Sequence, residues 1–258
     1  MQAFSEGPWI LEARALKMAF GPFVAVNGID LKVRKGSIHA LIGPNGAGKT
    51  TCFNMLTKFL RPSAGSILFK GEDITHLNPA AVATKGIARS FQISSVFPHL
   101  TAKENVRVAL QRRRGLSLDF WRSKRVLEAF DDTAAALLQQ VGLEHQADVT
   151  AAELSSGRKR ALERATTLAL EPGMLLLDEP MAGMAQDDIK RTSRLIRQVS
   201  AGRTVLMVEH NLSVVADLCD HITVLARGKV LAEGDYQSVS RDKAVIDAYI
   251  GTGSHAKH

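Results

Sequence analysis

The chain is short of several things, and each shortage excludes something. In 258 residues there are two cysteines, Cys52 and Cys219, far apart in sequence. Two distant thiols give no disulfide framework and fit a reducing compartment, where both are expected to serve as small buried hydrophobes. Aromatic residues make up 5% of the chain and do not interleave with basic ones. Stacking on single-stranded nucleic acid therefore lacks a platform, and no nucleic-acid partner is expected. No apolar run approaches the ~18 residues that a membrane-crossing helix needs, and the first residues lack the basic-then-apolar pattern of a secretory signal. The expectation is a cytosolic protein whose connection to a membrane runs through partners. There are no internal repeats and no low-complexity segments.

What is present is 45% hydrophobic, enough for one α/β domain with a sizeable core and room for a subdomain. The formal net charge is +7. The clearest basic cluster is Arg112-Arg113-Arg114 followed by Arg122, Lys124 and Arg125. A solvated helical face is the plainer reading of it, and contact with anionic headgroups is the alternative.

One stretch organises the rest. Gly43-Pro44-Asn45-Gly46-Ala47-Gly48-Lys49-Thr50-Thr51 matches G-x-x-x-x-G-K-[ST], a phosphate-binding loop. A nucleoside triphosphate carries several negative charges close together, and glycines let backbone N–H groups wrap those oxygens without Cβ clashes. Lys49 is expected to reach the β- and γ-phosphates, and the Thr50 hydroxyl to ligate Mg²⁺. The N-terminus of a following helix adds its dipole. The flanks are those the motif requires: Ser37 to Ile42 reads as a buried strand and Thr51 to Leu56 as a helix. The bland alternative is a glycine-rich turn.

Taken in order, Ile10–Phe20 and Val24–Val33 read as two strands joined at Gly21-Pro22. Ser66–Phe69 is a strand with Lys70–Asp73 as its turn, Asn78-Pro79 opens a short helix, and Ile87–Phe91 is a strand. From Thr101 to about Thr167 the pattern is helical, opened by the capping box Thr101-Ala102-Lys103-Glu104. Strands then alternate with helices again. Met174–Asp178, Thr204–Glu209, His221–Ala226 and Val230–Glu233 read as strands. Asp187–Val199, Leu212–Cys219 and Ala244–Ile250 read as helices. Alternation of this kind implies a mostly parallel sheet, interrupted by an inserted helical subdomain.

A second chemical centre follows from Met174-Leu175-Leu176-Leu177-Asp178-Glu179. Two carboxylates stand at the C-terminal end of a buried strand, where ligands sit in open α/β sheets. Beside a phosphate loop, Asp178 is the expected Mg²⁺ anchor, and Glu179 is placed to polarise an attacking water. His210 follows the next strand and is a candidate for a hydrogen bond to the γ-phosphate, though a lone histidine at a strand end is more often simply half-solvated.

These residues in this order resemble the nucleotide-binding subunit of ABC transporters, over about Leu11 to Gly251. The resemblance implies a P-loop NTPase core with a mixed sheet and an inserted α-helical subdomain. Its boundaries are expected at 1–91, 92–167 and 168–258. It implies that Phe20 stacks on adenine, that Gln92 senses Mg²⁺ and the attacking water, and that His210 is the switch histidine. Leu154-Ser155-Ser156-Gly157-Arg158 occupies the place of the signature LSGGQ. In this family the signature clamps ATP held on another subunit's phosphate loop, so Ser155 and Gly157 are expected nucleotide contacts.

Four stretches point to one branch: Val24–Asn27, Phe97–Val106, Met181–Met184 and Ala248–Gly251. They resemble the ATPases of branched-chain amino-acid uptake, with relatives that carry urea or short amides. Such systems imply a second ABC ATPase subunit, two transmembrane permeases and a periplasmic solute-binding protein. The expected location is peripheral, on the cytoplasmic face of the inner membrane. A lipopolysaccharide-export ATPase and a weakly hydrolysing regulatory subunit remain alternatives. Departures from the pattern cluster in the part that serves a partner's ATP: Ser156, Arg158, Thr166-Thr167 and Ala185.

Overall fold

The computed structural model of the chain describes residues 9–90, 96–113 and 130–251. They divide into two compact units, one from within Met1–Lys85 and Met174–His258, the other Gly86–Gly173.

The first unit contains two sheets. Strands β1 (Trp9–Phe20) and β2 (Phe23–Arg34) form a hairpin whose register closes at Phe20 opposite Phe23. Gly21 sits in the turn with positive φ, which Gly supplies without strain. Strands β4 (Ala64–Phe69) and β5 (Glu72–Asp73) extend this sheet in the order β2-β1-β4-β5. The Lys70–Asp73 stretch, expected as a turn alone, therefore turns and then pairs two residues back against Leu68 and Phe69.

The second sheet is built on β3 (Ile38–Ile42), β7 (Met174–Asp178), β8 (Thr204–Val208), β9 (His221–Ala226) and β10 (Lys229–Gly234). Within this unit its order is β10-β9-β3-β8-β7. Strand β3 runs parallel to both β8 and β9, β7 parallel to β8, and β10 antiparallel to β9. Strands β3, β7 and β8 are buried along their whole length. That explains their continuous apolar runs, since a strand covered on both faces has no solvent side to alternate toward. Each fully buried Leu or Val contributes about 1.5–3 kcal/mol. Parallel pairing brings the C-terminal ends of β3, β7 and β8 to one edge, where α1 (Lys49–Leu56) begins.

Helices α6 (Gln186–Ser200), α7 (Leu212–Leu218), α8 (Tyr236–Arg241) and α9 (Lys243–Gly251) complete this unit together with the short α2 (Pro79–Thr84). Helix α8 has no counterpart in the sequence-based reading. Its start is an Asp235 cap whose carboxylate accepts from Ser238 N–H at 2.8 Å, a signal as plain as the capping box but followed by only six helical residues.

The second unit contains β6 (Ile87–Ser90), α3 (Ala102–Arg113), α4 (Asp131–Gln140) and α5 (Ser156–Ala169). The core of this unit is Val106, Leu110, Phe130, Leu138, Leu162 and their neighbours. The capping box at α3 is reciprocal: Thr101 N–H donates to Glu104 at 2.8 Å, and Glu104 N–H to the Thr101 hydroxyl at 3.2 Å. Cys52 is buried as expected, whereas Cys219 is half-buried. Burial pushes both thiols up to about 12, so both stay protonated and inert near neutral pH.

Candidate functional site

The loop after β3 is held open by its surroundings. Gly43 has φ +147°, and a Cβ there would lie 2.1 Å from the Leu225 carbonyl oxygen. Gly48 has φ +98°, and a Cβ there would meet the Ala25 carbonyl oxygen at 2.6 Å. Only glycine fits either position. The Ala47 carbonyl accepts from Gly228 N–H at 3.0 Å, while the Gly228 carbonyl accepts from Asn27 N–H at 2.8 Å. The Gly43 N–H donates to the hydroxyl of Tyr249 on α9. Strands β1–β2, the β9–β10 turn and the last helix thus fix the loop from outside. Asn45, Gly46 and Thr50 remain exposed at its mouth and Thr51 half-exposed. Helix α1 begins at Lys49 with no side-chain cap and no acidic residue in its first turn. Its N-terminal N–H groups and dipole are left for an anion.

Lys49 is 5% exposed. Its ammonium donates to the carbonyls of Gly43 at 2.7 Å and Pro44 at 2.9 Å. Burial lowers its pKa, and the charge of Glu179 works in the opposite direction. That opposition places the Glu179 carboxylate within electrostatic range of the loop lysine.

Asp178 ends β7 and is buried at 5% exposure. Glu179 follows in the left-handed region with φ +46°, which is strained for a non-glycine residue. Its N–H donates to the Val208 carbonyl at 2.9 Å, stitching the ends of β7 and β8 together. The carboxylate then meets His210 Nε2 at 2.8 Å, with both side chains still part-exposed. Two groups that the sequence placed on separate strands are one hydrogen-bonded pair at the edge shared with the phosphate loop.

Phe20 stands at the end of β1 with 48% of its surface exposed. It is not a core aromatic, so packing does not account for it. In the helical unit, Ser155 occupies the N-cap of α5, yet its hydroxyl makes no capping bond. Gly157 has open space where a Cβ would stand. Gln92 lies outside the described residues, as do Arg114, Arg122, Lys124, Arg125 and the side chains of Arg112 and Arg113.

The sequence reading missed two contributors. One is Glu209, a buried carboxylate beside the histidine. A lone charge closing the apolar run Val205–Val208 was the available signal. The other is Tyr249, which the sequence placed in the Ala248–Gly251 stretch without any link to the phosphate loop.

No described cluster of three or more His, Cys, Asp and Glu side chains stands ready to hold a metal ion. A cation here must share its ligands with phosphate. One hydroxyl and one carboxylate, Thr50 and Asp178, fit Mg²⁺, which keeps waters and takes one or two protein oxygens beside substrate phosphates.

The family model for ABC transporters matches residues 26–182, and that for a branched-chain amino acid ATP-binding cassette transporter matches residues 229–255. The high-affinity branched-chain amino acid transport ATP-binding protein BraF of Pseudomonas aeruginosa is 39% identical over 252 residues, covering 94% of this chain and 98% of the relative. The corresponding LivG protein of Escherichia coli is 35% identical over 249 residues, covering 94% and 98%. Among solved structures, the ADP conformation of MJ1267, an ATP-binding cassette of an ABC transporter, matches with a TM-score of 0.79 at 31% identity. It covers 94% of this chain and 99% of that one. The cbiO1 protein of Clostridium perfringens, part of the transporter complex cbiONQ, matches at 0.75 with 25% identity, covering 96% and 98%. On these matches and this geometry, the chain belongs to the ABC transporter family as an ATP-binding cassette ATPase, similar to the ATP-binding proteins of branched-chain amino acid transport.

Proposed function

We propose that this chain binds and hydrolyses ATP to power an importer of branched-chain amino acids or related small solutes. In this reading it pairs with a second ABC ATPase and two transmembrane permeases, and a periplasmic binding protein delivers the solute. The chain sits peripherally on the cytoplasmic face of the inner membrane. Among the described residues no helix is long and apolar enough to cross a membrane, so attachment through permeases is consistent with the fold. The names of the relatives support the solute class.

The observation that carries the hydrolytic reading is the 2.8 Å contact between Glu179 and His210 at the edge shared with the phosphate loop. Lys49 and the N–H groups of Gly46 to Thr51 cradle the phosphates. Phe20 stacks on the base. Thr50 and Asp178 would hold Mg²⁺, with Gln92 as the further ligand, and the ion would supply charge neutralisation on the phosphate oxygens. Glu179 orients and polarises a water in line with the γ-phosphate, and His210 hydrogen-bonds that phosphate while keeping Glu179 in place. Phosphoryl transfer needs positioning and electrostatics more than covalent help. The uncommitted Ser155 hydroxyl and the open backbone at Gly157 suit close approach to ATP on a partner's loop.

The test is Glu179→Gln in the assembled transporter. The amide keeps the shape and loses the basicity, so ATP affinity is expected within about twofold of wild type and turnover down by about 10²-fold or more. Turnover within about twofold of wild type would remove Glu179 from this role. The solute class is tested by measuring which amino acids, presented on the binding protein, stimulate ATP hydrolysis.

A further inference from the structure

Glu209 stands where a charge is least expected. It follows the fully buried strand β8 and is itself 3% exposed. A carboxylate at that depth persists only if its lone pairs are satisfied. Backbone groups satisfy them. Oε1 accepts from Met181 N–H at 3.0 Å. Oε2 accepts from His210 N–H at 3.1 Å and from Asn211 N–H at 3.3 Å.

These three N–H groups belong to two separate segments. Met181 lies just beyond Asp178-Glu179-Pro180, in a tight turn where Ala182 N–H donates to the Glu179 carbonyl at 3.0 Å and Met184 N–H to the Met181 carbonyl at 3.2 Å. His210 and Asn211 open the segment after β8, and the Asn211 side chain caps α7 by accepting from Ser213 and Val214. The Glu179–His210 contact joins the two segments at the solvent side, where both side chains are part-exposed. Glu209 joins them from beneath through their backbones.

We infer that Glu209 is a positioning residue for ATP hydrolysis: by holding the Met181 and His210 backbones in one piece, it keeps Glu179 and His210 in a fixed register to the γ-phosphate. The inference rests on the assignment of Glu179 and His210 to the reaction. Among the described residues, Glu209 bonds only the Met181, His210 and Asn211 backbones and no part of the phosphate loop, and at this burial it does not face solvent. Its removal should disturb the chemistry and leave nucleotide binding alone.

Glu209→Gln is the discriminating change. Glutamine has one acceptor oxygen and one NH₂ group. Whichever way the amide turns, its NH₂ faces a backbone N–H, and either Met181 or the His210–Asn211 pair loses its acceptor. The assembled transporter carrying the full-length variant is assayed for ATP hydrolysis beside Glu179→Gln. Hydrogen exchange is followed at the Met181, His210 and Asn211 amides. The expected result is a kcat lower by about tenfold, a KM for ATP within about twofold of wild type, and faster exchange at Met181 or at His210 and Asn211. Exchange at Gly48 to Cys52 should stay unchanged. A lower unfolding temperature with kcat intact at a temperature where the variant is folded would reduce Glu209 to a structural group and overturn the inference. If Glu179→Gln itself keeps turnover, the underlying site assignment fails instead. Should Glu209→Gln not fold, Glu209→Asp keeps the charge, draws the oxygens back by one methylene, and is read against the same two criteria.

Discussion

Lys49 donates to two carbonyls of its own loop, so a nucleotide must compete with the loop for this ammonium. Lys49→Ala removes the cation and leaves those carbonyls without a donor. ATP affinity is expected to fall by about 10–100-fold, the worth of a charge-assisted hydrogen bond, as measured by titration with labelled ATP. A different residue makes stability depend on pH on the acid side. His39 is 1% exposed, and its pKa is pulled from 6.5 to about 3 by burial, helped by the neighbouring His221. Its Nε2 lies 2.8 Å from the Thr223 hydroxyl, which in turn donates to Glu233 at 2.7 Å. Thr223 has one proton to give, so His39 donates to it through Nε2–H, and burial keeps the ring neutral. The unfolded chain takes up a proton that the folded chain refuses. This contribution is complete above pH 6.5 and is lost as pH falls toward 3. Unfolding free energy should drop by about 1.4 kcal/mol per pH unit in that window, and His39→Gln should flatten the slope in urea titrations. The phosphate loop and Asp178-Glu179 were legible because their chemistry is written in adjacent residues. His39, Glu209 and Tyr249 were not, because their partners come from other strands or helices and only folding brings them together.

Elements that begin with a local hydrogen bond were the easiest to read. Thr101 and Glu104 form the box that their spacing implied, and α3 follows. Thr101→Ala is expected to cost about 1 kcal/mol in chemical denaturation of the full chain, and Glu104→Ala somewhat less, with no change in ATP affinity. The continuous apolar runs at β3, β7 and β8 announced strands covered on both faces, and that is where they lie. Misreadings fell where elements are short. β5 has two residues and α8 six, too few for any period to show. Ser155 illustrates the opposite limit. It stands at the N-cap of α5, yet its hydroxyl makes no capping bond, and the nucleotide contact proposed for it has no local hydrogen bond to announce it.

For the whole molecule, the departures in the signature stretch matter only in an assembly. If the partner ATPase is a different chain, the arrangement proposed above gives one site this phosphate loop with Glu179 and His210, and the other Ser155, Gly157 and the exposed Arg158 of this chain. A cation beside bound ATP tightens the ground state without speeding the reaction. The second site should therefore turn over more slowly. Lys49→Ala here and the matching change in the partner should remove unequal shares of activity, and Arg158→Gln should quicken the slow site. Equal losses would end the idea. One contact also crosses nearly the full length of the chain: Tyr249, on α9, takes the N–H of Gly43, the first residue of the phosphate loop. An affinity tag or a truncation at the C-terminus is ordinarily treated as harmless. Here, stopping the chain after Asp247 would release one anchor of the nucleotide cradle. Such a shortened protein should bind ATP several-fold more weakly, about the worth of one hydrogen bond, and Tyr249→Phe should do the same at full length. A weak ATPase measured on a C-terminally trimmed preparation would then be a property of the trimming.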